Sequence, residues 1–201
     1  MLTKSENTPI WLIWLVLAFF GLQAGYDGLH YVFGDPELFS SIFREKYVRH
    51  LVLVRFHAIS GVLALGSSLL AFLPITRRYF FHRYLGRVYI GSVLAAGLSA
   101  LPMGMMAAGS AVSKVGFLVQ ALLWLGTAAA ALNFALRRRF REHRRWMVRS
   151  FSVTYGAVVT RLLLHFLLFL GLPFHSIYDL VSWSWLLPMA AGEIWILISK
   201  R

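Results

Sequence analysis

Six stretches of the chain are apolar and about 20 residues long or more, enough for each to cross the roughly 30 Å hydrocarbon layer of a bilayer. They run over 9–33, 51–74, 88–109, 115–136, 147–172 and 177–199. In hydrocarbon a backbone must satisfy its own N–H and C=O groups, so runs of this kind are helices. Composition agrees. With 59% hydrophobic and 14% charged residues and a mean hydropathy of +0.68, the chain carries more apolar surface than one soluble core can hide. The predicted fold is all-α: a single integral membrane domain over 1–201 with six transmembrane helices. The second to fifth crossings (about 50–172) form a four-helix core, and the first and sixth flank it. The first run follows MLTKSENT and carries Tyr26, Asp27 and His30 near its far end rather than a small-residue cleavage site. It therefore reads as a retained helix, not a signal peptide.

The formal charge of +12 is a topology signal before it is anything else. If the crossings alternate, fourteen Lys and Arg fall on one side (Lys4, the 75–87 loop, the 137–149 segment, Lys200 and Arg201) and four on the other. The richer side is predicted to be cytoplasmic, with both termini inside, and the charge leaves no support for nucleic-acid binding. The longest opposite connection, 35–50, sets Leu38, Ile42, Phe39 and Phe43 at helical spacing and predicts an interfacial amphipathic helix. Trp11, Trp14, Tyr84, Trp146 and Trp183 read as an aromatic belt at the ends of the crossings. Small residues through 91–109 and 126–131 predict close approach of the third and fourth crossings. A weak repeat, R-aromatic-x-x-H-R, occurs at 78–83 and 139–144.

Ionisable groups within a crossing are costly and are functional candidates by default. Counting about 1.5 Å per residue from the outer edge places Arg55 about 6 Å deep, Asp27 and His57 about 9 Å and His165 about 10 Å. Three helices thus contribute to one polar layer, with His30 and His50 one step further out. Two imidazoles at matching depth satisfy one condition for bis-histidine ligation of haem b: His57 and His165 as axial ligands, Arg55 as propionate partner and Arg161 as an electrostatic tuner. His57, His165 and Asp27 are equally an N,N,O set for zinc. A third reading is an Asp27–Arg55 ion pair with both histidines hydrogen-bonded in a packed interior. On the inner side, His82 and His143 sit just before helix starts among arginines, suited either to a second haem or to anionic lipid headgroups. Arg161, near the midplane, and Glu193 form a candidate buried ion pair.

The chain has no cysteine, so thiolate–metal, iron–sulfur and disulfide chemistry are excluded. It also lacks a P-loop, a dinucleotide fingerprint, HExxH and a nucleophile elbow. At Arg55-Phe56-His57-Ala58-Ile59-Ser60-Gly61, at His82-Arg83-Tyr84-Leu85-Gly86-Arg87-Val88-Tyr89 and at His143-Arg144-Arg145-Trp146-Met147-Val148-Arg149-Ser150-Phe151, it resembles a bacterial family of membrane proteins, domain of unknown function 2306. The resemblance spans roughly 50–165 and implies a helical bundle in the bacterial cytoplasmic membrane, with His57, His82 and His143 as motif histidines. More weakly, the chain is similar to transmembrane b-type cytochromes of the ferric-reductase kind, which implies haem on a four-helix core. The leading functional expectation is therefore a haem-b electron-transfer protein served by a redox partner or a second copy of the chain. A non-redox module binding metal or anionic lipid, or an assembly partner of a larger complex, is the alternative.

Overall fold

The computed structural model describes residues 8–73 and 79–199. Lys4, Arg77, Arg78, Lys200 and Arg201, part of the topology signal, lie outside them. Among the described residues the chain is helical throughout, with no strand. The elements are α1 (Thr8–Phe33), a 3-10 turn at Pro36–Leu38, α2 (Arg44–Arg49), α3 (Leu51–Ala71), α4 (Tyr79–Met105), α5 (Ala111–Leu136), α6 (Phe140–Phe169), α7 (Phe174–Val181) and α8 (Leu186–Ile198). Six segments are long and apolar enough to cross a membrane, the sixth being α7 and α8 together. The protein is a polytopic membrane helical bundle. Leu22, Phe80 and Phe169, each more than 70% exposed, belong to its outward apolar face, which requires a lipid environment.

α3 packs along α4, α4 along α5 and α5 along α6, while α1 lies against α3 and α6, and α8 against α6. Lipid is as apolar as leucine, so close packing and interhelical hydrogen bonds hold such a bundle together. Both are present. A Cβ on Gly97 would meet Leu125 at 2.6 Å, and one on Gly28 would meet Val62 at 2.7 Å. Fully buried Tyr89 of α4 shares its hydroxyl with Ser150 (2.6 Å) and Thr154 (2.9 Å) of α6. Trp124 of α5 donates to the same Thr154, and Tyr155 of α6 donates to the Leu17 carbonyl of α1.

Three expectations are revised. The helices begin at Tyr79 and Phe140, well before the expected 88 and 147, because helix continues past the hydrocarbon where polar residues meet the interface; His82 and His143 therefore lie inside helices rather than ahead of them. The 35–50 connection holds only a 3-10 turn, capped by Asp35, and the six residues of α2. Phe39 in it is buried against His30 and Tyr31, not presented to lipid. Finally, the sixth crossing breaks at Ser182–Trp185, so Trp183 sits mid-crossing and not in a belt. The break is a tightened turn whose N–H groups bond three residues back, Trp183 to Leu180 and Ser184 to Val181, so its backbone stays satisfied at that depth. Gly116 and Gly156 provide the room, since a Cβ there would strike Ser182 and Trp185 at 2.7 Å.

The turns at the two ends also differ. After α6, Gly171 takes the left-handed conformation (φ 79°), with Gly171 N–H donating to Leu168 O and Leu172 N–H to Leu167 O. After α5, the same paired bonding is built on Arg138 (φ 57°), a conformation that costs a side-chain-bearing residue about 1–2 kcal/mol.

Candidate functional site

At the end of the bundle opposite the arginine-rich turns, the helices leave a cavity of about 580 Å³. Helical periodicity decides which residues reach it. α3 contributes Val54, His57 and Ala58; α6 contributes Ala157, Arg161, His165 and Leu168, nearly every fourth residue along one stripe; α1 contributes Asp27, His30 and Tyr31. The 35–50 connection covers the mouth with Phe43, Lys46 and Tyr47. Aromatic contacts fasten that cover: Phe43 stacks on Tyr47 at 5.3 Å and meets Phe174 and Tyr178 of α7 edge-on or tilted. Lys46 Nζ donates to the Met106 carbonyl at 3.4 Å, tying the cover to the end of α4.

His57 is held firmly. Its Nδ1 lies 3.0 Å from the Ala96 carbonyl and 3.2 Å from Ser99 Oγ, both on α4. A carbonyl only accepts, so Nδ1 carries the proton, and in the neutral ring Nε2 presents a lone pair. His165 lines the same cavity from α6. Arg161, two turns and more inside the end of α6, spends one N–H on its own helix at the Ala157 carbonyl (3.1 Å).

The structure thus brings His57, His165, Asp27 and Arg161 to one cavity and leaves three sequence-derived pairings unmade. Arg55 is not in the cavity wall. It lies about 100° round α3 from Val54 and donates to the Gly34 carbonyl at 3.3 Å. Asp27 accepts from Gln23 one turn earlier on α1, so the Asp27–Arg55 pair is absent. Glu193 pairs with Arg149, twelve residues or about 18 Å before Arg161 on α6, through two parallel bonds, one of 2.9 Å. Nor do His57, His165 and Asp27 assemble a metal cage: among the described residues no three His, Asp or Glu stand close enough to hold an ion. Sequence spacing missed Tyr31, Tyr47, Gln120 and Trp124, which also line the cavity. Aromatic and amide residues in apolar helices carry no signal separating a cavity wall from an ordinary helix contact.

At the other end, His82 of α4 and His143 of α6 meet edge to face, ring centroids 6.5 Å apart. His143 Nδ1 is fixed by the Ala131 carbonyl at 2.9 Å, and exposed Arg144 and Arg145 follow directly. The 22 residues from His143 to His165 put about 33 Å of helix between the two histidine sites.

A family model described as predicted membrane protein (DUF2306) matches residues 54–196. The chain belongs to that family. The match takes in His57, His82, His143, Arg161, His165 and the Arg149–Glu193 pair, and it leaves out α1 and the cover. The family's description states a membrane protein and no activity. Neither a curated protein nor a solved structure matches the chain.

Proposed function

We propose that the protein is a haem-b electron-transfer protein of the cytoplasmic membrane, with haem held in the cavity between His57 and His165. The observation that carries this reading is the state of His57. An imidazole whose Nδ1–H is anchored on a backbone carbonyl, leaving Nε2 for the cavity, is the usual arrangement of a metal-ligating histidine. The cavity volume also lies within the roughly 300–1,000 Å³ of cofactor and ligand sites. Bound haem would supply a one-electron iron couple. The chain's own part is to hold Nε2 of His57 in place through Ala96 and Ser99, to present His165 from the opposite wall, and to exclude water with the Phe43–Tyr47 cover. Arg161 sets the local field, since a fixed cation disfavours the more positive oxidised state of a nearby centre.

Purification in mild detergent followed by oxidised and reduced visible spectra tests the proposal. A Soret band with reduced α and β bands, lost in His57→Ala and in His165→Ala, is the expected result. A colourless protein that stays colourless after expression with added haem overturns it.

The arginine-rich end supports a second, non-redox role. Exposed guanidiniums of Arg141, Arg144 and Arg145 suit anionic headgroups at the cytoplasmic face, the side that the cation asymmetry favours. Because the chain has no native cysteine, single cysteines at 40 and 141 labelled by an impermeant maleimide read the orientation directly: 141 protected and 40 labelled in intact cells.

A further inference from the structure

Arg161 is a guanidinium in a membrane-spanning helix, about 12 Å inside the end of α6; among the described residues no carboxylate reaches it within ion-pair distance, and the one carboxylate that lines its cavity, Asp27, is bonded to Gln23. The chain has eight Asp and Glu, and seven of them are among the described residues. Asp27 is bonded to Gln23, Asp35 to the Glu37 amide, Glu45 to Arg49, Glu142 to Arg139, Asp179 to Ser110 and Glu193 to Arg149; Glu37 forms no ion pair, and none of the seven pairs with Arg161. Its one protein bond, to the Ala157 carbonyl, uses a single N–H of five. Yet its charge is felt across the cavity. Burial pushes the Tyr47 phenol up to about 12, the neighbouring Tyr31 adds to that, and Arg161 works against it from the facing wall. A charge at this depth is expensive unless something compensates it, and the open donors face a cavity, not packed helix.

We propose that Arg161 is the anion anchor of the cavity: its ligand is an amphiphile bearing a carboxylate, seated with that carboxylate on the Arg161 guanidinium and its apolar body among Phe117, Trp124 and Leu164. Arg161 matches a carboxylate bidentately, and the apolar walls, contributed by α5 and α6, select against small free anions. The inference rests on the cavity being a ligand site, as above, but not on the ligand being haem. A haem propionate and a fatty-acid head carry the same chemistry.

The test titrates the full chain in detergent with haem b and its dimethyl ester, read by absorbance, and with cis-parinaric acid and its methyl ester, read by fluorescence, in wild type, Arg161→Gln and Arg161→Lys. At least one acid is expected to bind about tenfold or more better than its ester. Arg161→Gln should reduce that preference to within about twofold, with Arg161→Lys in between. If neither acid binds, if acid and ester bind alike in wild type, or if Arg161→Gln keeps the preference, the inference fails. Should Arg161→Gln fail to fold, the wild-type comparison and Arg161→Lys decide. Haem bound without discrimination would leave the haem reading standing and overturn this one. Discrimination by parinaric acid in a protein that takes no haem would do the reverse.

Discussion

At the cavity end, His57 and His165 reach open volume from α3 and α6; at the other end, His82 and His143 turn their rings on one another. The same contrast runs through the arginines. Arg161 forms no ion pair with any described carboxylate, whereas Arg149, on the same helix, is clasped by Glu193 of α8. It extends to the turns: Gly171 takes the left-handed position after α6, and Arg138 takes it after α5. At one end His143 and Arg149 find hydrogen-bond partners on neighbouring helices, and some backbone strain goes into keeping cations at an interface. At the other end His57, His165 and Arg161 line an open space. Ion-paired and ring-paired groups such as Arg149 and His143 serve the bundle; residues that line an open volume, such as His57 and His165, are placed to meet a ligand.

The largest effect that could break this comparison is spectral. His57→Ala is expected to abolish the reduced α and β bands completely, while His143→Ala retains them; loss in His143→Ala alone would exchange the roles of the two ends. The two membrane arginines should separate next. Arg149→Ala removes both bonds between Arg149 and Glu193 and is expected to lower stability by about 1–3 kcal/mol, followed by circular dichroism during thermal unfolding in detergent. Arg161→Gln, with no internal partner to strand, should leave stability within about 0.5 kcal/mol of wild type or raise it. A loss as large as that of Arg149→Ala would mean that Arg161 has an internal partner after all.

The turn comparison predicts opposite signs. Arg138→Gly relieves the left-handed side chain and gains about 1 kcal/mol, and Gly171→Ala loses a similar amount, measured in the same unfolding experiment. The smallest effect belongs to the layer between the ends. Tyr89→Phe removes the hydroxyl shared with Ser150 and Thr154 and should cost about 0.6 kcal/mol, the average for an interhelical hydrogen bond in a membrane, and no more than about 1.7 kcal/mol, the largest measured, without moving the visible spectrum.

Several of these features were legible in order of residues alone. The six apolar segments follow from apolar length, and the common level of Asp27, His57 and His165, which share one cavity, follows from a constant rise per residue. Arg55 shows where that reasoning stops. Its depth suits the polar layer, but it lies off the face of α3 that meets the cavity, and it bonds to Gly34. Glu193 shows the same limit between helices: Arg161 looked reachable, and α8 sits so that Arg149 meets it instead. Phe39 and Phe43 had the spacing of a lipid-facing stripe, yet that stripe turns inward and becomes the cover of a cavity.

Sequence by itself determined that this chain is a membrane protein with six apolar segments long enough to cross, and it put Asp27, His57 and His165 at one level, because rise along a helix is linear in residue number and hydrocarbon thickness is fixed. Only the tertiary structure decided which residues face each other, where the sixth crossing breaks, and that one end encloses a cavity. Those depend on the rotation of each helix about its axis and on which neighbour it packs against, and in lipid that choice is made by small residues and hydrogen bonds spread over distant segments.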